Sequence, residues 1–88
     1  MTYRFSKRVF NDENGTRTLA FYRPQSVLQA INPFAKKDML ISFNLNELED
    51  LRIEMGDVDF AVMITRAIGA AAGFQLTPEE IEYAVEDI

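Results

Sequence analysis

Two rows of carboxylates at helical spacing are the residues of this chain best suited to chemistry. Glu47, Asp50 and Glu54 follow one another at steps of three and four, and so do Glu79, Glu82 and Glu86. On a helix such neighbours lie about 5–6 Å apart. Carboxylates at that interval can work in pairs as acid and base, hold a hard cation, or repeat negative charge in the manner of a nucleic-acid backbone.

The first use finds no support elsewhere in the chain. There is no His and no Cys, which removes the commonest general base and the thiolate nucleophile. No nucleophile-elbow, Walker or dinucleotide-binding pattern occurs. Paired carboxylates alone can cleave glycosides, but 88 residues leave little room for a sugar cleft. The expectation is a non-enzymatic protein with no cofactor.

The cation reading fares little better. Glu54, Asp57 and Asp59 crowd around Gly56, but an EF-hand needs a loop of about twelve residues closed by a Glu. A helix end followed by an acidic N-cap accounts for the three residues without a metal. No metal site is expected.

The third use gains weight from how charge is distributed. Residues 1–40 carry seven Lys and Arg against three carboxylates, a net charge of +4. Residues 41–88 carry two Arg against eleven carboxylates, a net charge of −9. Such asymmetry governs long-range fields and the choice of partner rather than the fold. Acidic rows on two helices can occupy a basic groove built for DNA or RNA. Tyr83, in the middle of one row, belongs to a residue type enriched at interfaces. The expected partner-binding residues are therefore Glu47, Asp50, Glu54, Glu79, Glu82, Tyr83 and Glu86, facing a basic protein surface such as that of a nucleic-acid-binding protein. Small inhibitors that phages direct against host nucleic-acid machinery or host defence work in this way. The plainer alternative is that both faces are merely solvated.

The basic half suggests the opposite partner. Arg4, Lys7, Arg8, Arg17 and Arg23 accompany Phe10 and Tyr22, and a basic ribbon with aromatics can bind nucleic acid directly. A net charge of −5 argues against it. A homo-oligomeric structural or regulatory subunit is the other alternative.

These residues need elements to position them. Tyr3, Phe5 and Val9 alternate with Arg4, Ser6 and Arg8, the period of a half-buried strand, and Lys7 interrupts the apolar row as edge strands do. Asn14-Gly15 predicts a type I′ turn. The return strand, 16–23, puts Leu19 and Phe21 on one face and Thr18, Ala20 and Tyr22 on the other. Over 24–38, Ser26 can cap a short helix through Val27, Leu28 and Ile31, and Pro33 would stop it. Residues 34–38 then read as a loop. The strand 39–43 is the most apolar and is expected at the centre of the sheet.

From Asn44 the period is helical. Asn44 with Glu47 resembles a capping box, and Leu48, Leu51 and Met55 share the inner face. The next helix, from Asp57 or Asp59, is apolar nearly all round between Phe60 and Ala72. Such a helix is buried on every side or packs in part on another chain. Phe60, Ile64, Ala67 and Ile68 are its expected core stripe, Gly69 permits close approach, and Gly73 stops it. The last helix has Thr77 as N-cap, Pro78 at its first position, Glu80 closing a capping box, and a staple between Leu76 and Ile81. Ile81, Ala84, Val85 and Ile88 are expected inside, with Glu79, Glu82, Tyr83 and Glu86 outside.

The stretch from Gly73 to Ile81 resembles the end of the leader domain found in precursors of modified peptides. Its residues are those that any helix stop followed by a helix start would select, and no function is carried over from it. The order of elements predicts one α+β domain over residues 1–88, a basic β-rich part (1–43) and an acidic helical part (44–88), with the antiparallel sheet packed against C-terminal helices. No apolar run reaches the ~18 residues of a membrane span, and the N-terminus has no secretory apolar region. The expected location is the cytoplasm, with no membrane partner.

Overall fold

The computed structural model describes residues 3–23, 39–86 and 88. The short helix and loop expected within 24–38 lie outside the described residues. Three strands, β1 (Ser6–Asn11), β2 (Arg17–Tyr22) and β3 (Met39–Asn44), form an antiparallel sheet in the order β1-β2-β3. Three helices follow: α1 (Leu45–Met55), α2 (Asp57–Ala72) and α3 (Pro78–Val85). The α+β class read from the period change at Asn44 is the observed one.

The hairpin register pairs Lys7 with Phe21 and Val9 with Leu19. Its turn differs from the expected type I′, which needs positive φ at two successive residues. Only Gly15 has positive φ, at 78°. The loop instead widens to Asp12–Thr16, because the Asp12 carboxylate accepts hydrogen bonds from the N–H groups of Asn14 (2.9 Å) and Thr16 (2.8 Å). An Asx turn outcompetes the two-residue turn here.

β2, not β3, is the central strand. The hairpin gives β2 one neighbour and β3 supplies the other. Leu19, Ala20 and Phe21 are all fully buried, so β2 is covered on both faces, whereas Met39 on β3 is largely exposed. Apolar content placed β3 at the centre, but connectivity decides the order.

One face of the sheet packs on α1 and α2. Phe5, Leu19, Phe21, Leu45, Leu48, Phe60, Ile64, Ile68 and Ala84 form the buried core. The Phe5 and Phe21 rings meet edge to face at 5.7 Å, and Phe21 meets Phe43 likewise at 6.2 Å. Such pairs add about 0.5–1.5 kcal/mol beyond their area. The expected core stripe of α2 is present, with Ala67 only partly covered.

Caps fix the helix boundaries. Asn44 Oδ1 accepts from the N–H groups of Asn46 (3.0 Å) and Glu47 (3.2 Å). Among the described residues the reciprocal bond from Asn44 to Glu47 is not made, so only half of the expected box forms. The N-cap of α2 is Gly56 rather than an aspartate, and no side chain caps it. Asp57 and Asp59 fall in the first turn, where they favour the helix dipole without capping. Gly73 closes α2 through its N–H to the Gly69 carbonyl (2.8 Å). At α3 the full capping box between Thr77 and Glu80 forms, with Pro78 at its start.

Candidate interaction surface

The helices place the expected acidic residues on exposed faces. On α1, Glu47, Asp50 and Glu54 are exposed, opposite the buried Leu45 and Leu48. On α3, Glu79 and Glu82 are exposed, and so is its C-cap, Glu86. α2 touches both of these helices and so lies between the two acidic rows.

Ion pairs then sort which charges remain unmatched. Arg4 Nη2 meets Glu80 Oε1 at 2.6 Å, and Lys7 Nζ meets Glu86 Oε1 at 3.1 Å. Arg17 pairs with Glu49 at 3.3 Å and Arg52 with Asp57 at 2.9 Å. Arg23 donates to the Ala72 carbonyl, and Arg8 lies over the Phe10 ring at 5.9 Å. Among the described residues, Glu47, Asp50, Glu54, Glu79 and Glu82 make no ion pair. Arg4, Lys7 and Arg17 thus match their charge against Glu80, Glu86 and Glu49, and the acidic rows keep most of theirs.

Glu80 carries a role that its place in the capping box did not announce. It is only 4% exposed. Its carboxylate accepts from the Arg4 guanidinium and the Arg4 backbone N–H, and also from the Thr77 N–H at 3.1 Å. The Arg4 hydrogen bond holds the Glu80 carboxyl down at about 2; burial opposes this, and the Thr77 N–H and hydroxyl reinforce it. Glu80 in turn raises the pKa of Arg4. Arg4 also donates to the Gln75 carbonyl and covers the Phe74 ring at 4.4 Å. A lone Arg in a strand-like run gave no sign of a partner on the last helix.

Two expected site residues are placed otherwise. Tyr83 does not project outward. Its ring stacks on Tyr3 at 4.1 Å with 7° between planes, and it tilts against Phe5 at 5.4 Å. Lys7 is not part of an exposed basic ribbon, since its side chain is only 6% exposed. Its Nζ lies 4.6 Å from the Tyr83 ring centroid and donates to the Tyr83 carbonyl. Its backbone N–H donates to the Tyr83 hydroxyl at 3.3 Å. Of the expected inner face of α3, Ala84 is buried in the core and Val85 and Ile88 pack against it, while Ile81 borders the outer face of α2 beside Val58 and Val62. Glu80 and Tyr83 are engaged by Arg4 and Lys7. Glu86, through Lys7, is an anchor as well as a surface charge.

A second surface was legible only as an oddity of composition. α2 is not buried all round: Val58 is 77% and Val62 45% exposed. No helix among the described residues is long and apolar enough to cross a membrane. No protein-family model matches this chain, and neither does any curated protein or solved structure.

Proposed function

We propose that this chain is a non-enzymatic protein-binding module. It presents the carboxylates of α1 and α3 to a basic groove that would otherwise hold nucleic acid, and so acts as an inhibitor. The observation that carries this reading is the sorting of charge. Three cations of the N-terminal part, Arg4, Lys7 and Arg17, are matched by carboxylates, and Glu47, Asp50, Glu54, Glu79 and Glu82 are left exposed without a counter-charge among the described residues. Surface pairs such as Arg17–Glu49 contribute only about 0–1 kcal/mol to stability. Their effect here is on the field, which is left negative over the exposed faces of α1 and α3, with the exposed Arg66 on α2 as a local exception. The same sorting weakens direct nucleic-acid binding, because phosphates would have to displace Glu80 from Arg4 and Glu86 from Lys7.

Affinity capture from lysate tests the proposal when wild type is compared with a variant carrying Glu47→Lys, Asp50→Lys, Glu79→Lys and Glu82→Lys. Partners specific to the wild type should be nucleic-acid-binding proteins, and duplex DNA or RNA added as competitor should release them. Electrostatic association of this kind weakens steeply as salt rises. Equal capture by the charge-reversed variant would remove the proposal, and so would a gel shift of DNA or RNA by the wild-type chain itself.

A further inference from the structure

The outer face of α2 holds an apolar trough that the acidic rows do not use. Val58, Ala61, Val62 and Ile81 line one concavity of about 520 Å³. Gly69, Ala70, Phe74 and Leu76 line another of about 710 Å³. Both share Thr65 and Arg66, so the trough runs continuously along the helix. Its charges are few and ordered. Asp57, already paired with Arg52, lines its N-terminal end, the exposed Asp59 stands beside it in the same first turn, and the exposed Arg66 stands midway. Asp59 and Arg66 make no ion pair among the described residues.

We infer that the N-terminal half of this trough, from Val58 to Arg66, is occupied by a second copy of the chain, with the two α2 helices antiparallel across a two-fold axis at Val62. A two-fold makes the contact self-complementary, each pair of facing residues occurring twice, once from either copy. With Val62 on the axis, residue 58 of one copy lies opposite residue 66 of the other. Val58 then covers the aliphatic stem of the facing Arg66, whose guanidinium reaches the facing Asp59. Both positions are four residues from the axis, about 6 Å along the helix, so the two ion pairs flank an apolar centre symmetrically. With Asp57 matched by Arg52, the Asp59 carboxylate still outweighs the roughly half-unit positive charge of the helix N-terminus. A basic partner of the kind proposed above fits this trough poorly, because it would meet Arg66. The inference is independent of that proposal, since Glu47, Asp50, Glu79 and Glu82 take no part in it.

Sedimentation equilibrium of the full chain over a concentration series is the test. Wild type should show a concentration-dependent mass rising to that of a dimer. Val62→Glu buries an unpaired charge on the axis and should weaken association about a hundredfold or more. Its circular dichroism should stay that of wild type, because position 62 is exposed in the single chain. Arg66→Glu should also give monomer, and Asp59→Arg combined with Arg66→Glu should restore the dimer. A wild-type monomer at all concentrations up to about 1 mM would overturn the inference. A dimer indifferent to Val62→Glu, or a charge swap that fails to restore association, would overturn it equally.

Discussion

Arg4 and Glu80 stand 76 positions apart in the chain and meet at 2.6 Å. Their pairing ties the segment before β1 to the first turn of α3. It also makes stability depend on pH in a definite direction. The folded carboxyl titrates at about 2, below its ordinary value of 4.5. Its contribution is complete above 4.5 and is lost as pH falls toward 2. In urea titrations between pH 7 and pH 2, wild type should lose stability across that window. Glu80→Gln should be less stable at neutral pH and flatter over the window, so that the two curves converge in acid. Parallel curves would contradict this.

The core prediction concerns Ile64, fully buried at the centre of α2. Ile64→Ala should cost about 2–5 kcal/mol, against a total stability of about 5–10 kcal/mol for a domain of this size. A shift of the urea midpoint equivalent to less than about 0.5 kcal/mol would reject it.

Gly69→Ala pits two effects against each other. Helix propensity favours Ala by about 1 kcal/mol. The new Cβ, however, would stand 2.9 Å from the Phe74 carbonyl oxygen, a backbone atom with little room to retreat. Overpacking costs about 1–3 kcal/mol and should win. The melting temperature should fall, and a rise would show that the turn after α2 yields easily.

Tyr83 should separate ring from hydroxyl. Tyr83→Phe keeps the stack on Tyr3 and loses only the acceptor for the Lys7 N–H, a change of about 1 kcal/mol. Tyr83→Ala removes the stack, the contact with Phe5 and the cover over Lys7. Chemical denaturation should therefore rank wild type, Phe and Ala in that order, with the larger step between Phe and Ala.

Charge reversal on α3 should not be uniform. Glu79→Lys and Glu82→Lys change exposed, unpaired side chains and should move stability by no more than about 0.5 kcal/mol. Glu86→Lys sets a second cation against the buried Lys7 and should be the most destabilising of the three. Equal midpoints for all three variants would show that the Lys7–Glu86 pair contributes nothing.

Much of this structure is written locally and could be read that way. The period change at Asn44, the Thr77–Pro78–Glu80 start of α3 and the Phe60–Ile64–Ile68 stripe each depend on neighbours within a turn or two. What escaped reading depends on distant partners. The burial of Glu80 goes with its pairing to Arg4, and no pattern within either element announces it. Strand and helix periods, each by itself, put Tyr83 and Lys7 on the surface, yet in the fold each covers the other. The turn at Gly15 was misread for a local reason, since the Asp12 carboxylate offered the backbone a better acceptor than a tight turn would. On the candidate surfaces, the acidic rows were visible from spacing alone. The trough on α2 was visible only as an excess of apolar residues, because which side stays bare depends on what the sheet and α3 can cover.

The hydrogen bond from the Lys7 N–H to the Tyr83 hydroxyl bears on the outer edge of the sheet. An amide directed off a strand edge normally exchanges its hydrogen with solvent as the edge breathes. Here the acceptor sits on α3, and α3 is held by Glu80 and Glu86 to the segment that carries the amide. Lifting of the helix, which would expose this amide, has to part both ion pairs, so the Lys7 amide should exchange slowly. The slow amide of an outermost strand thereby becomes a reporter of how firmly the two far-separated parts of the chain are clasped.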